Sequence, residues 1–348
     1  MSVEVGTAPT PTHATSLPID YGKRLMVTAG RSSLELGDKI ANKLGVDLTP
    51  AGLKTFSDGE VYCRYGESIR GADIFLVQSI AGHEPEGLTV NDALMELLVM
   101  IDAAVGASAH RVIAVCPWYG YSRQDKKSAP REPITARVVA KALETIGIDR
   151  LVTMDLHAGQ LQGFFTKTVD HMTAMSILTQ FVKDQLGDDP GNLVIVAPDA
   201  GRVKLTRKFA QNVGVDYALL EKDRPAQQVA EIGYVIGQEK VEGRKAVIVD
   251  DIIDTGGTLA AGAQTVLDAG ASEVWAVATH GLFSGNAFDT LTSSPLSGIV
   301  VTDTVPLRAG APDMIRVLTC ADVLTDTVRR IFTDESVSDV FGGENQLF

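Results

Sequence analysis

The chain has 348 residues, which is long enough for two domains with hydrophobic cores of their own. Its formal net charge of −13 argues against general binding to nucleic acids or anionic membranes, although it leaves room for a local basic pocket that holds phosphates. The cysteines, Cys63, Cys116 and Cys320, lie far apart and predict neither a disulfide framework nor a metal site, so we expect a reducing, cytoplasmic location.

The sequence predicts no membrane span and no signal peptide. The most apolar long stretch, residues 94–107, carries Glu96 and Asp102 and falls short of the uninterrupted apolar length that a span requires. The N-terminus lacks a basic start and an apolar segment, which argues against a secretory signal. Its Thr, Pro and Ser content predicts a disordered lead-in over residues 1–22.

Strands and helices are predicted to alternate from about Arg24 onward. Short apolar runs predict the strands, and amphipathic stretches that end in Gly predict the helices. This alternation predicts mostly parallel sheets and the α/β fold class. Because both halves have strands that run into Asp-containing loops, we expect two similar domains at 23–166 and 167–320. A C-terminal helix and tail at 321–348 would then fold back on the first domain.

Two polar segments interrupt the first half of the chain. Residues 57–59 (Ser-Asp-Gly) have turn chemistry and precede an alternating run at 60–65, which together predict a hairpin. Residues 121–133 form a charged loop with two prolines between a predicted buried strand and a helix. A loop of this length is more often a functional lid than a plain connector, and we call it the lid. A solvated surface loop is the alternative.

Polar side chains suited to phosphate chemistry follow several predicted strands. Asp155 and His157 follow one strand, Asp199 follows another, and Lys222 and Arg224 follow a third. Sheets of the α/β class place their ligands at these strand ends. Taken alone, an Asp-x-His pair is more often structural and a Lys-x-Arg pair is usually solvated. These residues therefore predict a phosphate site only because they occur together in one chain.

Residues 245–258 (KAVIVDDIIDTGGT) carry the strongest local signal in the chain. The β-branched, uninterrupted run at 246–249 predicts a strand that is buried on both faces of a sheet. The run stops at two acids, Asp250 and Asp251. Adjacent carboxylates of this kind suit the hydroxyls of a sugar or a cation beside a phosphate.

The loop that follows has the composition of an anion site. Asp254, Thr255, Gly256, Gly257 and Thr258 lead into an Ala- and Leu-rich stretch that predicts a helix. Exposed backbone N–H groups and the positive end of the helix dipole attract anions at such a junction. The glycines let a ligand approach the backbone closely, and the threonines add hydroxyl donors. An ordinary tight turn with solvated acids is the alternative.

Other common nucleotide and catalytic motifs are absent from the sequence. It contains no Walker-type phosphate loop, no G-x-G-x-x-G after a strand, no G-x-S-x-G elbow and no His-Glu-x-x-His helix. A protein side chain is therefore not expected to be the nucleophile. Transfer of a group from one bound substrate to another, with a metal ion, fits better.

The chain resembles the ribose-phosphate pyrophosphokinase family, of the common phosphate-activated class, over about residues 24–341. The resemblance rests on seven motifs in a fixed order: FSDGE at 56–60, YSRQDKK at 121–127, DLHAGQLQGFF at 155–165, APDAGR at 197–202, EKDRP at 221–225, VDDIIDTGGT at 249–258 and ATHGLFSG at 278–285. The last motif also resembles part of that family's allosteric site. The family has two type I phosphoribosyltransferase-like domains and assembles as hexamers built from dimers.

The resemblance implies that the chain transfers the diphosphoryl group of ATP to the anomeric hydroxyl of ribose 5-phosphate, with Mg²⁺ as cofactor. It implies ATP contacts at Phe56, Asp58, Gly59, Glu60, Arg123, Gln124 and Asp125, the first four on a hairpin that reaches a neighbouring subunit. It implies ribose 5-phosphate contacts at Asp250, Asp251, Asp254, Thr255, Gly256, Gly257 and Thr258. Lys222, Arg224 and His157 are the implied catalytic residues, and His157 and Asp199 the implied metal residues. His157 can equally be a hydrogen-bond donor to phosphate, because Mg²⁺ prefers oxygen ligands.

Two other functions share parts of this pattern. A true phosphoribosyltransferase carries the same sugar-phosphate loop, but it needs no ATP site of the kind that residues 56–60 and 123–125 predict. A non-catalytic regulatory subunit is the second alternative, and the retained Lys222 and Arg224 argue against it. The chain departs from the family pattern at residues 226–228, which are neutral where the family often has basic residues. The positive charge that stabilises the transition state is therefore either reduced, which would affect the catalytic rate, or supplied by cations of the lid.

Overall fold

The structure is a computed structural model that describes residues 22–187, 189–223 and 232–341, with the side chains of residues 222, 223, 232 and 341 left out. Residues 1–21 of the predicted lead-in and the last seven residues of the predicted tail lie outside this range. No helix in the described ranges combines the length and apolar character needed to cross a membrane.

The first domain is built on a wholly parallel sheet. Its elements follow the chain as β1 (Leu25–Ala29), α1 (Leu34–Leu44), β2 (Lys54–Thr55), β3 (Val61–Tyr62), β4 (Asp73–Val77), α2 (Val90–Gly106), β5 (Arg111–Val115), α3 (Thr135–Ile146), β6 (Arg150–Met154) and β7 (Thr168–Met172). The sheet has the strand order β1-β4-β5-β6-β7. Strands β2 and β3 form the predicted hairpin apart from this sheet.

The first sheet ends later than the sequence analysis expected. Strand β7 pairs with β6 from Arg150↔Thr168 to Met154↔Met172, so the sheet continues past the boundary placed after residue 166. The polar sequence of β7 and its partly exposed side chains gave no strand signal, because this edge strand lacks the apolar run that marks the other strands.

The second domain has a mostly parallel sheet with one antiparallel edge strand. Its elements are α4 (Met175–Leu186), β8 (Leu193–Ala197), α5 (Val203–Val213), β9 (Asp216–Asp223), β10 (Ile232–Ile236), β11 (Lys245–Ile253), α6 (Gly257–Asp268), β12 (Glu273–Gly281), α7 (Ala287–Thr292), β13 (Gly298–Thr302), β14 (Ile315–Leu318) and α8 (Ala321–Thr333). The strand order is β10-β9-β8-β11-β12-β13-β14, with β10 antiparallel to β9. These parallel sheets flanked by helices confirm the predicted α/β class.

The sheet of the second domain is wider than the sequence predicted. The edge strands β10 and β14 were not predicted. Strand β14 is only partly buried, and its short mixed sequence resembles a connector more than a core strand. Strand β11 lies between β8 and β12, as its uninterrupted apolar run predicted.

Helix α8 packs on the first domain beside α1. Leu36 and Ile40 of α1 share one buried apolar cluster with Leu324 and Val328 of α8. An ion pair of 2.6 Å between Lys43 and Asp322 borders this contact. The last helix of the chain therefore completes the hydrophobic core of the domain that begins it.

Candidate active site

A cavity of about 640 Å³ lies between the two domains. The carboxyl ends of β6, β8 and β11 open into it, which is where α/β sheets place ligands. The lid closes one side, and α4 and α5 contribute to its walls. Its lining includes these predicted site residues: Arg123, Asp125, His157, Asp199, Asp250 and Asp251. Segments almost 130 residues apart in sequence are thus brought to one place.

The predicted strand, glycine loop and helix are confirmed at β11 and α6. The strand continues to Ile253, beyond the apolar run, and Gly256 precedes the helix with a left-handed φ of 78°. A Cβ atom at Gly256 would lie 2.8 Å from Leu291, so both the backbone angle and the space require glycine here. Thr255, Gly257 and Thr258 are exposed at the helix N-terminus, outside the lining of the large cavity.

One arginine holds both acids at the end of β11. Nη2 of Arg202 lies 2.7 Å from Oδ1 of Asp251, and its Nε lies 3.1 Å from Oδ1 of Asp250. The Arg202 side chain is 20% exposed and the Asp251 side chain 7%. A guanidinium offers its donors in a rigid fork, so this contact fixes the two carboxylates relative to each other.

His157 contacts the same acid from the first domain. Its Nδ1 lies 2.8 Å from Oδ2 of Asp251 and 2.9 Å from Nη2 of Arg202. An ionised carboxylate only accepts hydrogen bonds, so the pairing with Asp251 places a proton on Nδ1. This leaves Nε2 for the cavity, where it can coordinate a metal when neutral or donate a hydrogen bond when protonated.

The two neighbouring acids are driven to different protonation states. Burial acts to raise the pKa of Asp251, but the hydrogen bond from His157 and the charge of Arg202 outweigh it and lower the pKa. Burial and the adjacent Asp251 carboxylate raise the pKa of Asp250. Asp251 therefore remains ionised, and Asp250 is the first of the pair to bind a proton as the pH falls.

Asp155 anchors the turn that presents His157. It has a left-handed φ of 34°, and its Oδ2 accepts hydrogen bonds from the Ala174 N–H at 2.8 Å and the Thr279 hydroxyl at 2.7 Å. The next residue, Leu156, donates its N–H to Nε2 of His171 at 2.7 Å. Backbone strain at Asp155 is thus supported by contacts of the two residues that precede His157.

Asp199 lies exposed at the rim of the cavity, at the end of β8. Its Oδ1 accepts a 3.1 Å hydrogen bond from the N–H of Arg202 and caps the short turn between them. Within the described ranges, no group of three or more His, Cys, Asp or Glu side chains has the geometry of a metal site.

The lid reaches from the first domain to the loop between β11 and α6 of the second. Arg123 forms an ion pair with Asp254, and Oδ2 of Asp125 accepts a 2.6 Å hydrogen bond from Gln160. Burial acts to raise the pKa of Asp254, but contacts with Ser284 and Arg123 lower it. Gln124 is exposed and does not line the cavity.

The hairpin residues with an implied ATP role lie away from this cavity. Phe56 is 44% exposed and packs edge-on against Tyr62, with the Lys54 ammonium 4.9 Å from its ring centre. Asp58, Gly59 and Glu60 are exposed in the turn and are absent from the cavity lining. The structure of one chain therefore does not bring these residues to the acid pair.

The implied catalytic pair is only partly within the described ranges. The backbone of Lys222 belongs to β9 and pairs with Gly233 of β10, but its side chain lies outside the described residues, as does all of Arg224. The neutral residues 226–228 also lie outside.

Three site residues were missed by the sequence analysis. Arg202 and Thr279 lie in the APDAGR and ATHGLFSG motifs without a predicted role, and His171 lies in none of the seven motifs. All three line the cavity or contact residues that do. The available signal was position, because each lies at or just after a strand that pairs with a strand carrying a predicted site residue.

Comparisons with known proteins identify the family. Residues 25–147 match the model of the N-terminal domain of ribose phosphate pyrophosphokinase, and residues 227–342 match that of the phosphoribosyl synthetase-associated domain. A ribose-phosphate pyrophosphokinase from Caldanaerobacter subterraneus subsp. tengcongensis is 45% identical over 92% of this chain and 99% of its own length. One from Corynebacterium efficiens is 42% identical over 92% of this chain and 97% of its own length.

A solved structure agrees with these sequence matches. The phosphoribosylpyrophosphate synthetase of Mycobacterium smegmatis is 40% identical, and its alignment covers 90% of this chain and 100% of the solved one with a TM-score of 0.82. The sequence identity and the TM-score thus agree over nearly the complete length of both chains. The chain belongs to the ribose-phosphate pyrophosphokinase family, whose members are diphosphotransferase enzymes.

Proposed function

We propose that the chain transfers the diphosphoryl group of ATP to the anomeric hydroxyl of D-ribose 5-phosphate in the interdomain cavity, giving AMP and 5-phospho-ribose 1-diphosphate. One observation supports placing the reaction in this cavity: residues of the lid, the His157 turn, Asp199 and the acid pair, from both domains, line it together. The product supplies activated ribose for nucleotide biosynthesis.

Ribose 5-phosphate is the acceptor and binds at the junction of β11 and α6. Its phosphate lies at the N-terminus of α6, where backbone N–H groups and the hydroxyls of Thr255 and Thr258 donate to it. The left-handed Gly256 keeps this loop free of a side chain at its tightest point. Asp250 and Asp254 accept hydrogen bonds from the sugar hydroxyls, and Asp251 holds His157.

ATP binds on the side of the cavity formed by the lid. Arg123 and Asp125 line the cavity and contact the nucleotide, with Gln124 between them. The exposed hairpin with Phe56 serves a different subunit, where the aromatic ring stacks on the adenine and the turn residues contact its edge. This division of the ATP site supports a homo-oligomer, and we propose a hexamer of dimers.

The residues at the cavity fit Mg²⁺ as the cofactor. Mg²⁺ prefers oxygen ligands and keeps several waters, so the exposed carboxylate of Asp199 suffices together with the phosphates of ATP. Nε2 of His157 is a further ligand or a hydrogen-bond donor to the same phosphates. When bound, the ion neutralises phosphate charge and fixes the orientation of the diphosphoryl group.

The side chains of the chain position the reactants and stabilise charge. Diphosphoryl transfer passes through an in-line, charge-dispersed transition state, so catalysis depends mainly on orientation and electrostatics. Lys222 and Arg224 neutralise charge on the β-phosphoryl oxygens and on the departing AMP. The anomeric oxygen forms the new bond to the β-phosphorus as the bond from that phosphorus to the AMP oxygen breaks. The closed lid excludes the water that would otherwise hydrolyse ATP.

We also propose a cytoplasmic location, which the free cysteines and the proposed substrates support. Cys116 and Cys320 are buried thiols and Cys63 is partly buried, and none of the three forms a disulfide in the described structure. Burial raises the pKa of Cys116 to about 12, which suits a structural thiol that stays reduced.

The reaction is tested by ³¹P NMR of the purified protein with ATP, ribose 5-phosphate and Mg²⁺. We expect signals of AMP and of the diphosphate ester to grow in equal amounts. Formation of ADP and ribose 1,5-bisphosphate, or hydrolysis of ATP without an ester, would contradict the assignment. Nucleotide binding without any turnover would support the regulatory alternative.

The assigned role of Lys222 is tested by Lys222→Ala. Turnover is expected to fall by about two orders of magnitude or more, because one charge on the transition state is lost, while ATP still binds. Lys183→Ala is the matched control, since this exposed lysine of α4 lies outside the cavity lining. Near-normal turnover of Lys222→Ala would exclude the role.

A further inference from the structure

Arg202 contacts Asp250, Asp251 and His157, although the proposed reaction assigns it no role. It bonds to Asp251 through Nη2 at 2.7 Å and to Asp250 through Nε at 3.1 Å. Its Nη2 also lies 2.9 Å from Nδ1 of His157. The turn after β8 holds its backbone, because the N–H of Arg202 donates to Asp199.

These contacts involve most of the carboxylate oxygens of Asp250 and Asp251. Oδ1 of Asp250 faces Arg202 and also accepts the N–H of Asp251 at 2.8 Å. Oδ1 of Asp251 faces Arg202, and its Oδ2 faces His157. Three of the four carboxylate oxygens thus have partners already. A divalent cation that bridged the pair would have to displace several of these hydrogen bonds.

The charges of Asp250, Asp251 and Arg202 also argue against a divalent cation at the acid pair. Two adjacent carboxylates in a partly buried site repel each other and require a cation nearby. A single guanidinium with 20% exposure supplies that charge from the protein itself. Because it is part of the chain, it does not lose the translational entropy that a free ion would lose on capture, and the turn holds its backbone.

We infer that Arg202 is the resident counter-ion of the acid pair, so that Asp250 binds sugar hydroxyls and Asp251 holds His157 without a divalent cation at the pair. Asp199 and the phosphates of ATP would then hold the Mg²⁺ ion. Arg202 is a positioning residue in this scheme, since it acts through the two acids and His157. The identity of the sugar rests on the proposed function, whereas the charge role does not.

The first test counts metal sites on the nucleotide-free protein by EPR with Mn²⁺ as the probe. Arg202→Ala is expected to bind one more Mn²⁺ than the wild type, and the added site is expected to be lost in Arg202→Ala/Asp250→Asn. Arg207→Ala is the control, because this exposed arginine of α5 does not line the cavity. It is expected to bind as many Mn²⁺ ions as the wild type.

The second test measures ribose 5-phosphate binding by calorimetry in EDTA and in Mg²⁺. The wild type is expected to bind with dissociation constants within about threefold of each other in the two buffers. Arg202→Ala is expected to bind about tenfold or more weakly in EDTA, because charge-assisted contacts that hold the acids are lost, and to recover in Mg²⁺. A purely structural role would not create this dependence on metal.

Several outcomes would overturn the inference. It is wrong if Arg202→Ala gains no Mn²⁺ site, or if the wild type itself needs Mg²⁺ to bind the sugar phosphate. Should the alanine variant fail to fold, Arg202→Lys replaces it and is expected to gain a weaker Mn²⁺ site, since one point charge remains. Failure of the ³¹P assay would refute the proposed reaction, but the Mn²⁺ count would still decide the role of Arg202.

Discussion

The hydroxyl of Thr279 in the second domain donates a 2.7 Å hydrogen bond to Oδ2 of Asp155 in the first domain. Both side chains are buried, and Asp155 begins the turn that carries His157. This bond therefore couples the orientation of His157 to the relative position of the two domains. The same threonine accepts, through its carbonyl, a 2.7 Å hydrogen bond from the Thr302 hydroxyl.

Thr279→Val tests this coupling, because valine keeps the shape and removes the hydroxyl. We expect the free energy of unfolding to fall by about 1.5–3 kcal/mol, as a hydrogen bond to a charged group is lost. We expect kcat to fall at least about tenfold as His157 shifts, with smaller changes in KM. Urea denaturation and steady-state kinetics measure the two effects.

The control for this prediction is Thr279→Ser, which restores the hydroxyl and is expected to regain most of the activity. A second comparison uses the His157→Ala background, where Thr279→Val is expected to have little further effect on kcat. Additive losses in the double variant would show that Thr279 acts independently of His157.

Gly256→Ala is expected to destabilise the protein by about 2 kcal/mol or more. The left-handed φ of 78° disfavours a side chain, and the new Cβ would lie 2.8 Å from Leu291. Gly257→Ala is the matched control, since its Cβ would meet nothing within 4 Å. Thermal denaturation of the two variants compares them, and equal melting temperatures would contradict the steric argument.

Arg123→Ala is expected to separate stability from activity. The ion pair with Asp254 joins side chains that are 50% and 25% exposed, so its loss is expected to cost less than about 1 kcal/mol of unfolding free energy. The value of kcat/KM for ATP is expected to fall about tenfold or more, because a cavity-lining charge that we propose contacts the nucleotide is removed. Arg137→Ala, on the exposed side of α3, provides a charge-matched control. A large loss of stability with normal kinetics would reverse the assignment.

His171→Gln is expected to reduce the sensitivity of the fold to acid. Burial lowers the pKa of His171 from its ordinary 6.5 to about 4, so the unfolded chain binds a proton between these pH values that the folded chain does not. The free energy of unfolding therefore decreases as the pH is lowered, by about 2 kcal/mol from pH 7 to pH 5. Glutamine keeps an acceptor for the Leu156 N–H but does not titrate.

Urea denaturation at the two pH values measures this difference for His171→Gln and for His83→Gln, a partly exposed histidine whose ring contacts the backbone carbonyl of Arg31 and serves as the control. The His171 variant is expected to lose about 2 kcal/mol less than the wild type between pH 7 and pH 5. Identical pH dependence of all three proteins would show that another group governs acid sensitivity.

The features predicted correctly from sequence have local causes. The apolar run before Asp250 and the glycines at 256 and 257 determine a strand, a tight turn and a helix start without reference to distant residues. The hairpin around Gly59 and the loop of the lid follow from turn residues and prolines in the same way. Composition within a few residues was sufficient for each of these elements.

The features that were missed depend on pairing between distant segments. Arg202 meets Asp250 and Asp251 because β8 and β11 are neighbours in the sheet, although almost 50 residues separate them in sequence. Thr279 meets Asp155 across 124 residues and across the domain boundary. No local pattern reports such contacts, since they arise from the strand order. The weak edge strands β7, β10 and β14 were missed or misplaced because partial exposure removes their apolar signature.

The packing of α8 on α1 has a consequence for synthesis of the chain. Leu36 and Ile40 are covered by side chains that leave the ribosome about 290 residues later. Until then the first domain exposes an apolar helix face, a condition that favours aggregation or chaperone binding. Contacts of such long sequence separation also slow folding, because chain entropy is lost before they form. Truncation before residue 321 would therefore be expected to damage the first domain rather than only the second.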